Sequence, residues 1–174
     1  QGQLNFERSA NGDDLAPWVS DFRKLEASGW KGEQKSAILS DDRSITFFDD
    51  LVGSLQSENA ITFARITLDG QILAMLIDVR MNDRVYGFKT AFNESFADHS
   101  PGMLIEYENL KSLHSEQCLL FDACCGPDNG LLNSLYTDRL SFQDFVIGLT
   151  PSMSPFVSRV MPTMQSIAMK LRKR

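Results

Sequence analysis

Side chains that ligate metals or act as nucleophiles are scarce in this sequence. Its 174 residues include 2 histidines and 3 cysteines, and Cys124 and Cys125 are adjacent. That set fits no zinc spacing and makes no disulfide framework. No helix start or base stands beside the two cysteines in sequence, so a cysteine nucleophile is a poor reading. Reduced thiols point to a cytoplasmic setting. Basic charge is short too: 17 Lys and Arg against 23 Asp and Glu leave a net charge of −6. A phosphate backbone wants a basic face, so nucleic acid is not the expected primary partner. The cluster Lys170, Arg172, Lys173 and Arg174 reads as the solvated end of a helix, with an anionic membrane or partner as the other reading. No apolar run nears the roughly 20 residues needed to span a bilayer. Internal repeats and low-complexity tracts are absent.

What is present is ordinary for a globular chain: 43% hydrophobic and 23% charged residues. The length suits one domain over residues 1–174 with a substantial core. The chain starts at Gln1, and Gln3 to Phe6 already has strand character, so it is expected to be the C-terminal part of a longer protein.

The order of elements is legible from periodicity and turn residues. Leu4 to Arg8 reads as a strand. Asp14 caps a helix that runs to Ala27, with Pro17 in its first turn. Trp30 and Lys31 fall in the polar loop that follows. Ser40 and Asp41 open a second helix, whose buried face is Ile45, Phe47, Phe48, Leu51, Val52 and Leu55. Three strands come next, Ala60 to Leu68, Gln71 to Val79 and Arg84 to Phe92, joined by Asp69-Gly70 and Asn82-Asp83. Asp-Gly is a two-residue hairpin signal because the tight turn needs positive φ. The run Ile72 to Ile77 is too apolar for one wet face and reads as a central strand covered on both sides. A helix from Gly102 to His114 puts Met103, Leu104, Tyr107, Leu110 and Leu113 inward and Glu106 on the wet face. A short strand Cys118 to Ala123, a helix Leu131 to Tyr136, a strand Leu140 to Leu149 and a terminal helix from Ser154 complete the order. A strand that follows a crossover helix runs parallel to the strand before it. The fold class is therefore α/β (α+β): a mixed, mostly antiparallel sheet with helices on both faces.

Chemistry concentrates at the junction from Arg84 to Leu113, where a strand empties into a helix start. Unpartnered N–H groups and the macrodipole make such a start attractive to anions. Ser100 either caps this helix or contacts a bound group, and Gly102 allows close backbone approach or close helix–strand packing. Met103 continues the same turn. His99 is a general base or an exposed loop residue. Lys89 holds a phosphate or carboxylate, or snorkels to the sheet edge. Asp122 is a buried base with a raised pKa or a cap for the turn at Cys124 to Gly126.

Four segments in register carry a family resemblance: Leu25-Glu26-Ala27-Ser28-Gly29-Trp30-Lys31-Gly32, the Asp69-Gly70 hairpin, Lys89-Thr90-Ala91-Phe92 followed by Ser100-Pro101-Gly102, and Phe121-Asp122-Ala123. Together with the element order, they resemble the GNAT acyltransferase fold, in its CelD-like or BioF2-like branch related to the FemAB peptidyl transferases. The resemblance implies transfer of an acyl or aminoacyl group to an amine or hydroxyl of a small-molecule or glycan acceptor, with a role in polysaccharide or envelope metabolism as one setting. The donor it implies is acetyl-CoA or another acyl-CoA, or aminoacyl-tRNA as in the FemAB relatives. It also implies a splay between the strands Arg84–Phe92 and Cys118–Ala123, with the donor's pyrophosphate at His99 to Met103 and an acceptor pocket at Trp30 and Lys31. Of the family's Gly-rich loop only Gly102 remains, and Pro101 removes one N–H donor. The rival expectation is a GNAT-fold binding or scaffold module without catalysis.

Overall fold

The computed structural model describes residues 2–29, 32, 34 and 37–142. The chain divides into two compact units, Gln1–Thr137 and Asp138–Arg174. In the second unit, residues 140–142 carry no strand. The rest of the strand expected to Leu149, the terminal helix and the basic cluster lie outside the described residues. So do Trp30 and Lys31.

In the first unit the order is β1 (Leu4–Arg8), α1 (Ala16–Ala27), α2 (Asp42–Ser57), β2 (Ile61–Leu68), β3 (Gln71–Met81), β4 (Arg84–Phe92), α3 (Pro101–Ser115), β5 (Leu120–Asp122) and α4 (Gly130–Leu135). Short 3₁₀ segments precede α2 and α3. The sheet order is β1-β2-β3-β4-β5. Neighbours from β1 to β4 run antiparallel, and β5 lies parallel to β4. Each turn is set by its own residues. Asp69 (φ 50°) and Gly70 (φ 84°) take the left-handed conformations that a tight hairpin needs. Asn82, at φ 57°, does the same for the next hairpin. The Asp41 carboxylate accepts from the N–H groups of Arg43 and Ser44 and caps α2.

Both sheet faces are covered, as the apolar run in β3 requires. On one face, Phe22 and Leu25 of α1 and Phe48 and Val52 of α2 pack on Phe63, Met75, Ile77 and Ala91. On the other, Ile105 of α3 packs on Ala64, Ile66, Ala74 and Leu76. Strand alternation separates the faces, and a register shift in β3 resets it. Thr67 opposes Ile72 where Ile66 opposes Ala74, so Leu73 is an extra residue. As a result Ile72 joins the first core and Leu73 the second, although they are adjacent. Phe47, expected on the buried face of α2, is instead 66% exposed, because the helix meets the sheet through Phe48 and Val52.

Phe22 is fully buried between Phe48 and Phe63, at ring distances of 6.2 and 6.4 Å. Phe22→Ala is expected to lower the unfolding free energy by about 3–5 kcal/mol, read as a lower urea midpoint at unchanged slope.

Candidate active site

The β4–β5 ladder is short. Arg84 pairs with Leu120, Val85 with Phe121 and Tyr86 with Asp122, and there it stops. β4 continues for six residues, Gly87 to Phe92, with no strand beside it on that side among the described residues. The two strands part where β4 also changes register against β3. Ile77 opposes Lys89 and Asp78 opposes Gly87, which leaves Phe88 as the extra residue of a bulge. Gly87 marks the divergence point, because a Cβ there would lie 3.3 Å from the Phe121 ring.

A cavity of about 330 Å³ fills the gap. Phe88, Phe92, Phe121, Leu131 and Leu132 supply much of its wall, so it is mainly apolar. Its polar members are Lys89, Thr90, Glu106, Cys125 and Asn129. They come from both sides of the sheet: Lys89 reaches to α1, whereas Thr90 reaches to α3. A larger groove of about 530 Å³ runs between α1 and α2, but its Arg23 and Asp49 pair with each other and it lies away from the strand gap.

Two buried carboxylates flank the end of β4. Glu26 of α1 is 3% exposed; it accepts from Lys89 Nζ at 2.7 Å and from the Ile38 N–H at 2.8 Å. Glu106 of α3 is 7% exposed; it accepts from the Thr90 hydroxyl at 2.9 Å and from the Tyr136 hydroxyl at 3.3 Å. Burial raises the Glu106 pKa above the ordinary carboxylate value, and the two hydrogen bonds oppose that rise. Burial and the neighbouring Glu106 push the Tyr136 phenol well above its usual range, so it stays protonated.

Glu106 was expected on the wet face and Tyr107 inside. The structure reverses this: Tyr107 is 52% exposed, and α3 turns Gly102, Ile105, Glu106, Asn109 and Leu113 inward. Two polar residues can occupy that face because the sheet offers them partners, Thr90 for Glu106 and Asp78 for Asn109.

The candidates named from sequence are only partly brought together. Lys89 and Gly102 line the cavity. Ser100 does cap α3, but through its backbone position (φ 50°) and without a side-chain hydrogen bond. Pro101 has no N–H, and the first helical bond is Leu104 N–H to the Ser100 carbonyl at 3.1 Å. The N–H groups of Gly102 and Met103 thus precede the helical ladder. His99 ends the 3₁₀ segment before α3 and is exposed. Asp122 alternates out of the cavity wall between Phe121 and Ala123, and its carboxylate accepts from Cys124 N–H at 2.8 Å, the turn-capping alternative. Glu26, Thr90, Glu106 and Tyr136 were not named from sequence as site residues. A glutamate and an asparagine three residues apart, Glu106 and Asn109, in helical register with Gly102, Ile105 and Leu113, were the available signal.

A family model described as Acetyltransferase (GNAT) domain matches residues 1–129. The chain belongs to the GNAT acetyltransferase family. Similarity to solved GNAT structures concerns the fold. An aminoglycoside acetyltransferase, meta-AAC0020, from an uncultured soil metagenomic sample, in complex with trehalose, is 15% identical with a TM-score of 0.56. The match covers 84% of this chain and 97% of that one. A predicted acetyltransferase with acetyl-CoA from Clostridium acetobutylicum is 7% identical, also at 0.56, with 84% and 97% covered. AAC(6')-Iy in complex with a CoA bisubstrate analogue is 11% identical at 0.53, with 83% and 99% covered. No curated protein matches the sequence.

Opposite Asn109, further along α3 of this GNAT domain, Asp78 of β3 is 3% exposed. It accepts from Asn109 Nδ2 at 2.8 Å, with the Arg8 guanidinium 4.0 Å away. Burial outweighs both contacts and raises its pKa from 3.8 to about 6. Its contribution to stability is therefore complete below pH 3.8 and lost as pH rises through 6. Asp78→Asn cannot titrate. Relative to wild type, its unfolding free energy is expected to gain roughly 2 kcal/mol between pH 4 and pH 7, measured by urea titration across that range.

Proposed function

We propose that this chain is an amine acyltransferase whose donor is an acyl-CoA thioester held in the gap between β4 and β5. One observation carries the reading: the ladder stops at Tyr86, and a mainly apolar cavity lined from both sheet faces takes its place. Continuous pairing there would have favoured a scaffold module without catalysis. The donor fits the residues present. The apolar wall suits a pantetheine arm, and the N–H groups of Gly102 and Met103, at the positive end of α3, suit a pyrophosphate, with His99 and Ser100 at the rim.

When bound, the donor supplies an activated acyl carbonyl and a thiol leaving group. The chain's contribution is positioning and polarisation. Backbone N–H groups of β4 beyond Tyr86 that face the gap can donate to the thioester oxygen as it gains charge. The Glu26–Lys89 pair fixes the α1 side of the same strand. There a small hollow of about 30 Å³, lined by Leu25, Glu26, Gly29 and Glu94, borders Thr90 to Phe92. Glu26 and Glu94 put two carboxylates on its wall, a lining that suits an amine acceptor. Trp30 and Lys31 follow Gly29 in sequence, and we assign them to the acceptor side. Asp122 holds the turn after β5 and so helps keep the gap open. An amine acceptor also accords with fold neighbours that are named aminoglycoside acetyltransferases. On the four sequence motifs we place the chain in the CelD-like or BioF2-like branch. The net charge of −6 favours acyl-CoA over aminoacyl-tRNA as donor.

Isothermal titration tests the reading with acetyl-CoA, longer acyl-CoAs and aminoacyl-tRNA as ligands. Acetyl-CoA or a longer homologue is expected to bind with Kd between about 1 µM and 1 mM. Leu132→Trp, which fills the cavity, is expected to weaken that binding at least about tenfold. Silence from every donor would refute the enzymatic reading.

A further inference from the structure

We propose that Glu106 donates a proton to the departing thiolate during acyl transfer. The proposal rests on the acyl-CoA reading given above and adds to it a named proton donor. Its basis is placement. Glu106 projects from α3 into the wall of the strand gap, on the face that also carries Thr90, Phe92 and Gly102. A thiolate leaving within this mainly apolar cavity is poorly solvated, which favours its protonation by a group on the wall. A free thiol titrates near pH 8.5, so its anion needs a nearby acid at neutral pH. Burial raises the Glu106 pKa and so favours its acid form, and the hydrogen bonds from Thr90 and Tyr136 hold its two oxygens in place.

The other groups around the gap are less suited. Tyr136 directs its hydroxyl to Glu106, and its phenol, raised far above a thiol, would give up its proton uphill. Lys89 is tied to Glu26. His99 is exposed and absent from the cavity wall. The titratable and charged groups that face Glu106 are Tyr136 after α4, Asp78 on β3, and Lys89 and Cys125 across the cavity. In the reaction, the amine nitrogen bonds to the acyl carbon and the carbon–sulfur bond breaks. The sulfur takes the Glu106 proton. A cationic acceptor first loses its ammonium proton to solvent, which frees the nitrogen lone pair; after attack the nitrogen releases a second proton to solvent, and solvent returns one to Glu106, so one proton is released overall. Charge and atoms balance without a further reactant.

The test uses the full chain with acetyl-CoA and two amine acceptors, the polyamine spermidine and the aminoglycoside fragment neamine, and follows release of the free thiol. Glu106→Gln keeps size and an acceptor oxygen but holds no transferable proton. It is expected to lower kcat about 100-fold, to leave KM for acetyl-CoA within about threefold, and to lose the fall in rate as pH rises through the Glu106 pKa. Tyr136→Phe removes a bond that favours the carboxylate, so it should shift that fall to higher pH. If Glu106→Gln does not fold, by circular dichroism and thermal melting, the Tyr136→Phe pH profile decides alone. An unchanged or downward-shifted profile there overturns the proposal. A Glu106→Gln enzyme with wild-type kcat and pH profile overturns it as well, and so does loss of transfer at every pH in Tyr136→Phe, which would assign the proton to tyrosine. Failure of wild type to bind acetyl-CoA by calorimetry would remove the acyl-CoA reading itself. Binding and transfer by wild type with an unaffected Glu106→Gln would remove only the role of Glu106.

Discussion

The parallel pairing of β4 with β5 lasts three residues, and the site depends on where it ends. A fully paired sheet would leave no room between these strands and would bury the edge of β4 in ladder hydrogen bonds. Ending the ladder at Tyr86 leaves Gly87 to Phe92 bordering a cavity instead. The Phe88 bulge lies in the same short stretch, and the Lys89 and Thr90 side chains are sent to opposite faces. The two cores hold β4 in place from either side. Ala91 belongs to the α1–α2 core, and Phe92 packs against the α3 core, so the strand is anchored even where β5 no longer pairs with it.

Helix α3 adds a second constraint. A helix that covered the sheet with apolar residues alone would pack well and present no proton donor or carboxylate to the gap. Glu106 and Asn109 break that face, and each is accommodated by one partner on the sheet. Both arrangements have a cost. Burial raises the pKa of Glu106 and Asp78, and Asn109 Oδ1 is left without a hydrogen bond. A cost of this kind beside a cavity is commoner in working sites than in inert cores.

Much of the fold was legible in the sequence because local rules agree with the final structure. Asp69-Gly70 and Asn82 fix two hairpins by positive φ, β4 spans Arg84–Phe92 as expected, and Asp41 caps α2. The apolar run in β3 announced helices on both faces. The site was less legible. The end of the β4–β5 ladder depends on two segments far apart in sequence, so no local pattern encodes it; the splay was expected from family resemblance alone. On α2, Phe47 and Phe48 were both expected inside and only Phe48 is buried; on α3, Tyr107 and Glu106 were misread in opposite senses. An aromatic residue was assumed to be inside and a carboxylate outside, and partners on the sheet decided otherwise. Lys89 and Gly102 line the cavity, since both adjoin the strand–helix junction that the sequence marks.

The claim that β4 and β5 part to hold a donor is tested most directly by a crystal structure of the protein with a non-hydrolysable acetyl-CoA analogue. The account predicts density for the pantetheine arm between Gly87–Phe92 and Phe121, with the pyrophosphate at Gly102 and Met103. Density elsewhere, or a β4–β5 ladder that continues past Tyr86, would contradict it.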